Sequence, residues 1–369
     1  MKLTSYEPRY HGELLAFLGR VFAAYPHKSE PEYFDWMFGG NPLGPSLATY
    51  QLLLEGDRVV GQMGTIRARL RVGGEWVDSL SVVDLIIDPA FRGGLAARQL
   101  FKRAMASARL VFATGVAAHV VPIYNGLGWR RLTPSRSCYG VFRPSRLLAL
   151  AGTTEGAPKL SGPVRRALGV ADRVLPLARR AGALAHRRTA ALADIEEVKR
   201  FEPSWDAELS ALLDQCGITE FRSAALLNWK FVDRPIGRHR ILVLRASDGA
   251  LRGMLVLKWM TRPTVARWLE VADYLVAPSD VDGFRGLARA SLMIADEGDL
   301  DFVRFRLSHP AHVRLLRRPV WVDYTRPYND DIFAYSCELG LLATMESSPW
   351  HLTALASDRS ETGRDEWPR

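Results

Sequence analysis

Apolar and polar positions along the chain fall into a succession of short elements. Tyr50 to Leu54 is a continuous apolar run, Glu55-Gly56-Asp57 is a turn signal, and a second apolar run carrying Gly61 follows, so the pattern predicts a β-hairpin. Val82 to Pro89 reads as a buried strand closed by proline, Leu95 to Ala106 has helical periodicity, and Leu110 to Thr114 is a further apolar strand. The same succession returns later. Ile241 to Leu244, the turn Ser247-Asp248-Gly249 and a run carrying Gly253 repeat the hairpin, Val271 to Pro278 repeats the closed strand, Gly286 to Ala295 the helix, and Phe302 to Leu307 the last strand.

The repeat is also visible residue by residue. Trp36-Met37-Phe38-Gly39-Gly40-Asn41-Pro42-Leu43-Gly44 returns as Trp229-Lys230-Phe231-Val232-Asp233-Arg234-Pro235-Ile236-Gly237, with the spacing W-x-F-x-x-x-P-[LI]-G and an offset of 193 residues. The expected architecture is α/β: two mixed-sheet lobes built on one unit, packed together so that each covers an exposed sheet edge of the other. The boundaries read as 1–144 for the first lobe, 145–197 for a basic helical insertion, and 198–369 for the second lobe and tail. Turn residues at Gly152 to Pro158 and Pro176 break the insertion into short helices.

Composition narrows the class. A chain of 369 residues with 48% hydrophobic and 24% charged content is long enough for about two cores. No apolar run approaches the ~20 residues of a membrane span. The N-terminus lacks an apolar stretch followed by a cleavage site, so a cytoplasmic location is expected. Cys138, Cys216 and Cys337 are odd in number and far apart, which argues against a disulfide framework or a zinc site, and the histidines form no ligand-spaced cluster. Net charge is +9, and Lys159 to Ala190 carries eight basic residues against Asp172, so +7 of it is local. Such a surface suits an anionic substrate or an acidic lipid face; nucleic acid is not expected, because the segment lacks interleaved aromatics and any reader motif.

Chemistry is sought where the copies differ. In the first, the strand runs into Pro89-Ala90-Phe91-Arg92-Gly93-Gly94-Leu95-Ala96-Ala97, a glycine pair after an arginine at the start of a helix. Backbone N–H groups left free there favour an anion, so the turn is a candidate phosphate cradle. The second copy has Pro278-Ser279-Asp280-Val281-Asp282-Gly283, whose two carboxylates oppose a phosphate.

The strand, Pro-x-x-Arg-Gly, the helix, and then Ile123-Tyr124-Asn125-Gly126-Leu127-Gly128-Trp129 together resemble the acyl-CoA-binding core of the GNAT N-acyltransferase superfamily. The likeness covers residues 1–135, with a worn copy at 200–325, and is similar to tandem members that include nucleotide-linked amino-sugar N-acyltransferases. Trp350-His351-Leu352-Thr353 with Ser357-Asp358 is similar to their endings. The resemblance implies acetyl-CoA or another acyl-CoA as co-substrate, held by Ile87, Arg92, Gly93, Gly94, Leu95, Ala96 and Ala97, with Leu95 standing where the family usually has glycine. It implies direct attack by a small-molecule amine, anionic or nucleotide-linked, and an oxyanion met by a backbone N–H of the Asp84–Asp88 strand. Tyr124 stands at the general-acid position, or is an aromatic packing under the last strand. Asp84 is a candidate base, although Asp273 at the matching place in the second copy points to a structural role for both. His119 is the alternative base. A reading of another class is a catalytically degenerate acyl-CoA-binding or membrane-surface scaffold.

Overall fold

The computed structural model of the chain describes residues 1–92, 95–132, 135–152, 163, 166–174, 194–316, 321–323 and 331–353. They form a mixed α/β structure with two sheets. The first contains β1 (Lys2–Ser5), β2 (Gln51–Glu55), β3 (Arg58–Val72), β4 (Glu75–Ile87), β5 (Leu110–Thr114) and β6 (Arg130–Arg131). The second contains β7 (Arg136–Val141), β8 (Ile195–Val198), β10 (His239–Arg245), β11 (Leu251–Arg262), β12 (Ala266–Val276), β13 (Phe302–Leu307) and β14 (Trp321–Asp323). Three further strands, β9 (Ile218–Glu220), β15 (Ile332–Tyr335) and β16 (Trp350–His351), belong to the first sheet.

The two mixed sheets have related strand orders. The first sheet runs β1-β2-β3-β4-β5-β15-β6 and the second, read from its far edge, β8-β10-β11-β12-β13-β7-β14. In each, a parallel pair (β4 with β5, β12 with β13) is followed by an antiparallel strand. That strand comes from the other half of the sequence: β7 leaves the first half to pair with β13, and β15 leaves the second to pair with β5. The exchange satisfies an edge in each sheet that would otherwise expose unpaired backbone. It also means that the sheets are not divided at residues 144 and 197.

Local sequence accounts for the elements. The β3–β4 hairpin turns at Gly73 and Gly74, both with positive φ (60° and 91°), the conformation a tight two-residue turn demands. In α3 (Ala96–Met105), Ala96, Leu100, Phe101 and Ala104 are buried while Arg98, Lys102 and Arg103 face outward, so one apolar stripe packs on the sheet. On this face, α3 and α4 (Val121–Gly126) cover Leu80, Val82 and Ile87. The opposite face is covered by α1 (His11–Val21) and α2 (Pro31–Phe34), with Val83 and Ile86 directed into that second cluster.

The two halves meet around a local two-fold relation. Trp36 Nε1 donates to the carbonyl of Trp229 at 2.8 Å, Trp229 Nε1 donates to the carbonyl of Trp36 at 3.0 Å, and the rings lie 5.4 Å apart. A repeated tryptophan whose two copies bond each other's backbone is an isologous contact made within one chain. Between the halves lie α5 (Pro144–Gly152) and the α6 residues 166–174, with Asp172 accepting the Ser145 backbone N–H. Most of the basic segment lies outside the described residues. Among them, no helix is long and apolar enough to cross a membrane.

Candidate active site

The parallel pairing of β4 with β5 runs from Ser79–Leu110 to Ser81–Phe112 and stops there, although both strands continue. From Val82 onward β4 therefore parts from β5, which leaves a slot in the plane of the sheet. A β-bulge lies at this point. The β3–β4 register shifts between Gln62 and Gly64, and Asp84 sits in the left-handed region at φ 51°. A non-glycine residue held there costs about 1–3 kcal/mol and needs support from its surroundings. Gln62 supplies some, its amide donating to the Asp84 carbonyl. Because Val82 and Leu85 both face α3, the inserted Val83 and Asp84 both turn to the α1–α2 face.

There the Asp84 carboxylate forms an ion pair with Lys28, on the 3-10 turn Pro26–Ser29. Both side chains are nearly enclosed, at 4% and 11% exposure for Lys28 and Asp84. Lys28 also lies over the Phe22 ring at 4.7 Å. Beneath the pair Tyr50 is fully buried, and burial first and the Asp84 charge second push its phenol well above its ordinary pKa. Tyr124 occupies the other face. It is in α4, packed edge-on against Phe101 and Trp129 at 4.7 and 4.6 Å and beside Phe333 of the exchanged β15 at 5.2 Å. Burial raises its pKa, so the hydroxyl keeps its proton and remains a donor.

At the end of β4, Asp88 caps a short 3-10 turn by accepting from Ala90 N–H at 3.0 Å. Arg92 is exposed and its Nε donates back to the Ile87 carbonyl at 3.0 Å, holding the guanidinium beside the start of α3. Among the described residues no side chain caps α3, and Leu95 at its N-cap is 65% exposed. The first N–H groups of the helix, at Ala96 and Ala97, thus keep the polarity that suits an anion. Gly93 and Gly94 lie outside the described residues. His119 is exposed on the 3-10 turn Ala118–Val120 and forms no hydrogen bond or ring contact with Asp84 or Tyr124 among the described residues.

The second sheet has the same slot, and the chain itself fills it. The β12–β13 pairing ends at Glu270–Arg304, and a register shift again marks the place, by Asp273. Across the gap lies the segment Trp350–Thr353. His351 Nε2 bonds the Tyr274 carbonyl at 2.9 Å, Thr353 Oγ1 donates to Asp273 at 2.6 Å, and Leu352 N–H donates to Ser308 Oγ at 2.7 Å. Asp273 is fully buried, paired with Arg222 through two bonds of 2.9 and 3.1 Å, and free of the left-handed strain of Asp84. The helix that follows, Val281–Glu297, is capped by Asp280, which accepts from Gly283 N–H and is also bonded by Arg252. Here both the slot and the helix terminus are occupied by protein groups.

Residues 8–132 match the acetyltransferase (GNAT) domain family. The chain therefore carries an acyltransferase domain, and the slot, the uncapped helix and Tyr124 all lie within its matched span. Three solved structures are similar to the chain. A GCN5-related N-acetyltransferase from Anabaena variabilis ATCC 29413 is 13% identical at a TM-score of 0.60, covering 92% of this chain and 73% of that one. A conserved protein of unknown function from Enterococcus faecalis V583, described as a probable N-acyltransferase, is 13% identical at 0.53, covering 92% and 72%. Saccharomyces cerevisiae N-myristoyltransferase with bound myristoyl-CoA is 11% identical at 0.53, covering 91% and 78%. At these identities the likeness is one of fold. No curated protein matches the chain.

Sequence reasoning missed Lys28, and it marked Trp350–Thr353 only as a familiar ending without placing it against the second sheet. One signal for Lys28 was present. It lies eight residues before Trp36, and Arg222 lies seven before Trp229, so each repeat carries a cation just ahead of its tryptophan helix.

Proposed function

We propose that the chain is an acyl-CoA-dependent N-acyltransferase whose working site is the first lobe, transferring acetyl to a small-molecule amine that bears an anionic group, as a nucleotide-linked amino sugar does. The observation that carries this reading is the contrast between the slots: one is left open beside an uncapped helix, and the other is filled by the chain's own Trp350–Thr353.

In this reading Arg92 and the N-terminus of α3 hold the coenzyme's pyrophosphate, the slot between β4 and β5 receives its pantetheine arm, and backbone N–H groups of the β4 bulge face the thioester oxygen. Asp84 approaches from the α1–α2 face and takes a proton from the acceptor's ammonium, so that the free amine attacks. Tyr124 approaches from the α3 face and donates to the departing thiolate. Base and acid on opposite faces of one sheet suit a direct displacement that uses no acyl-enzyme.

An anionic acceptor is supported by a cleft lined by Thr114, Ser135, Val271, Ala272, Tyr274, Arg306, Leu352 and Thr353, a space left beside the strap at the second sheet's parting that reaches the end of β5. Arg306 brings a guanidinium to its lining and is also paired with Glu270. Thermal shift with acetyl-CoA tests the reading. A ligand at one hundred times its Kd adds about 2.7 kcal/mol of stability. The parent protein is expected to shift and Arg92→Glu to lose the shift; a parent protein that acetyl-CoA leaves unshifted refutes the proposal.

A further inference from the structure

The two repeats place a cation on the aspartate at the bulge, and they do it differently. In the second lobe the cation is Arg222, whose guanidinium also bonds Thr219, Glu220 and Thr353, so the side chain is locked from several sides. In the first it is Lys28, a point charge on a flexible stem, set against an aspartate strained at φ 51°. Arginine in a fork geometry is a fixed strut; an ammonium is exchangeable. The Lys28 Nζ has the same chemistry as a protonated amine acceptor, and it lies against the carboxylate at the edge of the open slot.

We infer that Lys28 is the resting occupant of the acceptor-ammonium site, displaced when an amine substrate arrives, and that in the absence of an acceptor it takes the acyl group itself. This rests on the acyltransferase reading above. The self-transfer balances: Asp84 accepts one proton from the Lys28 ammonium, the freed Nζ forms the C–N bond, the C–S bond breaks, and the thiolate takes a proton from Tyr124. The products are an acylated Lys28 and coenzyme A thiol. Groups that face Asp84 include Lys28 from the 3-10 turn and Tyr50 ahead of β2, with the Gln62 amide on its backbone. Of these only Lys28 can serve as the nitrogen nucleophile.

The full-length protein, incubated with acetyl-CoA and no acceptor, then digested and analysed by mass spectrometry, tests this. Lys2, Lys102 and Lys199 are exposed and report uncatalysed acetylation. Enclosed as it is, Lys28 should react more slowly than these unless it is held at the thioester; held there, it should acquire acetyl at least about tenfold faster. Asp84→Asn should remove that advantage while the acetyl-CoA thermal shift remains. Lys28→Arg should keep the ion pair, the melting temperature and acetyl-CoA binding, and reduce total acetylation to the exposed-lysine background. A protein that binds acetyl-CoA but is labelled only at exposed lysines overturns this inference and leaves the acyltransferase reading intact. Failure to bind acetyl-CoA removes both.

Discussion

Asp273→Asn tests whether the bulge at Asp273 is a structural strut, unlike the bulge at Asp84 to which the proposed function gives a role in proton transfer. Arg222 and Asp273 are both fully buried, and the carboxylate accepts two bonds from the guanidinium, one from Thr353 and one from its neighbour's N–H, Tyr274 at 2.8 Å. The amide keeps the shape and removes the charge, which leaves a buried guanidinium without the carboxylate that bonds it, Glu220 being the remaining negative charge nearby. Breaking such a pair from one side costs about 3–5 kcal/mol, a large share of the about 5–15 kcal/mol that keeps a domain folded. At about 2–3 °C per kcal/mol for a chain of this size, the melting temperature should fall by about 6–15 °C. Differential scanning fluorimetry and urea denaturation both read this. The double change Arg222→Met with Asp273→Leu should recover much of the loss, because a buried pair exchanged for apolar groups of similar volume is close to neutral. Asp84→Asn should destabilise less, since asparagine tolerates the left-handed region and the lysine stem can carry its ammonium toward water. A variant at Asp273 that melts within about 1 °C of the parent would refute the assignment of this pair as a strut.

Three further outcomes follow from the same geometry. Trp229→Phe removes the indole donor to the Trp36 carbonyl, which keeps the Gly40 N–H at 3.2 Å, and the loss of this one bond should lower stability by about 0.5–1.5 kcal/mol in urea denaturation. His312 is buried, stacked on Phe284 at 4.4 Å, and burial pushes its pKa down to about 4. The unfolded chain takes up a proton below about pH 6.5 and the folded one does not, so stability is complete above that pH and is lost as pH falls toward 4, by about 3 kcal/mol for this residue. His312→Gln should flatten the stability profile in that window, with His309 and His351, also shifted down, accounting for the remaining slope. Tyr124→Phe should leave the acetyl-CoA thermal shift unchanged and slow turnover by about 10²-fold in a free-thiol assay; equal loss of binding and turnover would make Tyr124 a packing residue only.

The mixed α/β class was legible because several apolar runs and the paired tryptophans occupy positions with geometric demands. Trp36 and Trp229 bond each other across the local two-fold, and the apolar runs between them map onto β2 to β5 and β10 to β13 with ends displaced by a few residues. The helix Val281–Glu297 extends beyond the stretch its periodicity marks, since Asp280 starts it earlier. The strand exchange was not legible. Arg136–Val141 and Ile332–Tyr335 are short apolar strands of similar character, and the choice of sheet is made by a partner more than a hundred residues away. The Lys28–Asp84 pair was hidden for the same reason, with 56 residues between its members, and the left-handed backbone of Asp84 has no signature in composition.

The slot explains why one copy could be modified so far from the other. Parting two strands of a sheet forfeits ladder hydrogen bonds and exposes backbone donors and acceptors that need partners. A sheet that opens to receive a ligand is completed by the ligand; a copy that receives none must be completed from within. The second lobe does this with the carbonyl of Tyr274 bonded by His351, Asp273 bonded by Thr353 and Arg222, and Ser308 bonded by Leu352. The bonds of His351, Leu352 and Thr353 also tie the end of the described chain to residues more than forty positions earlier, so filling the slot and anchoring this segment are one event. The first lobe has no such strap among the described residues. What it has at the bulge is a lysine, the one side chain that can satisfy Asp84 and still give way to another amine.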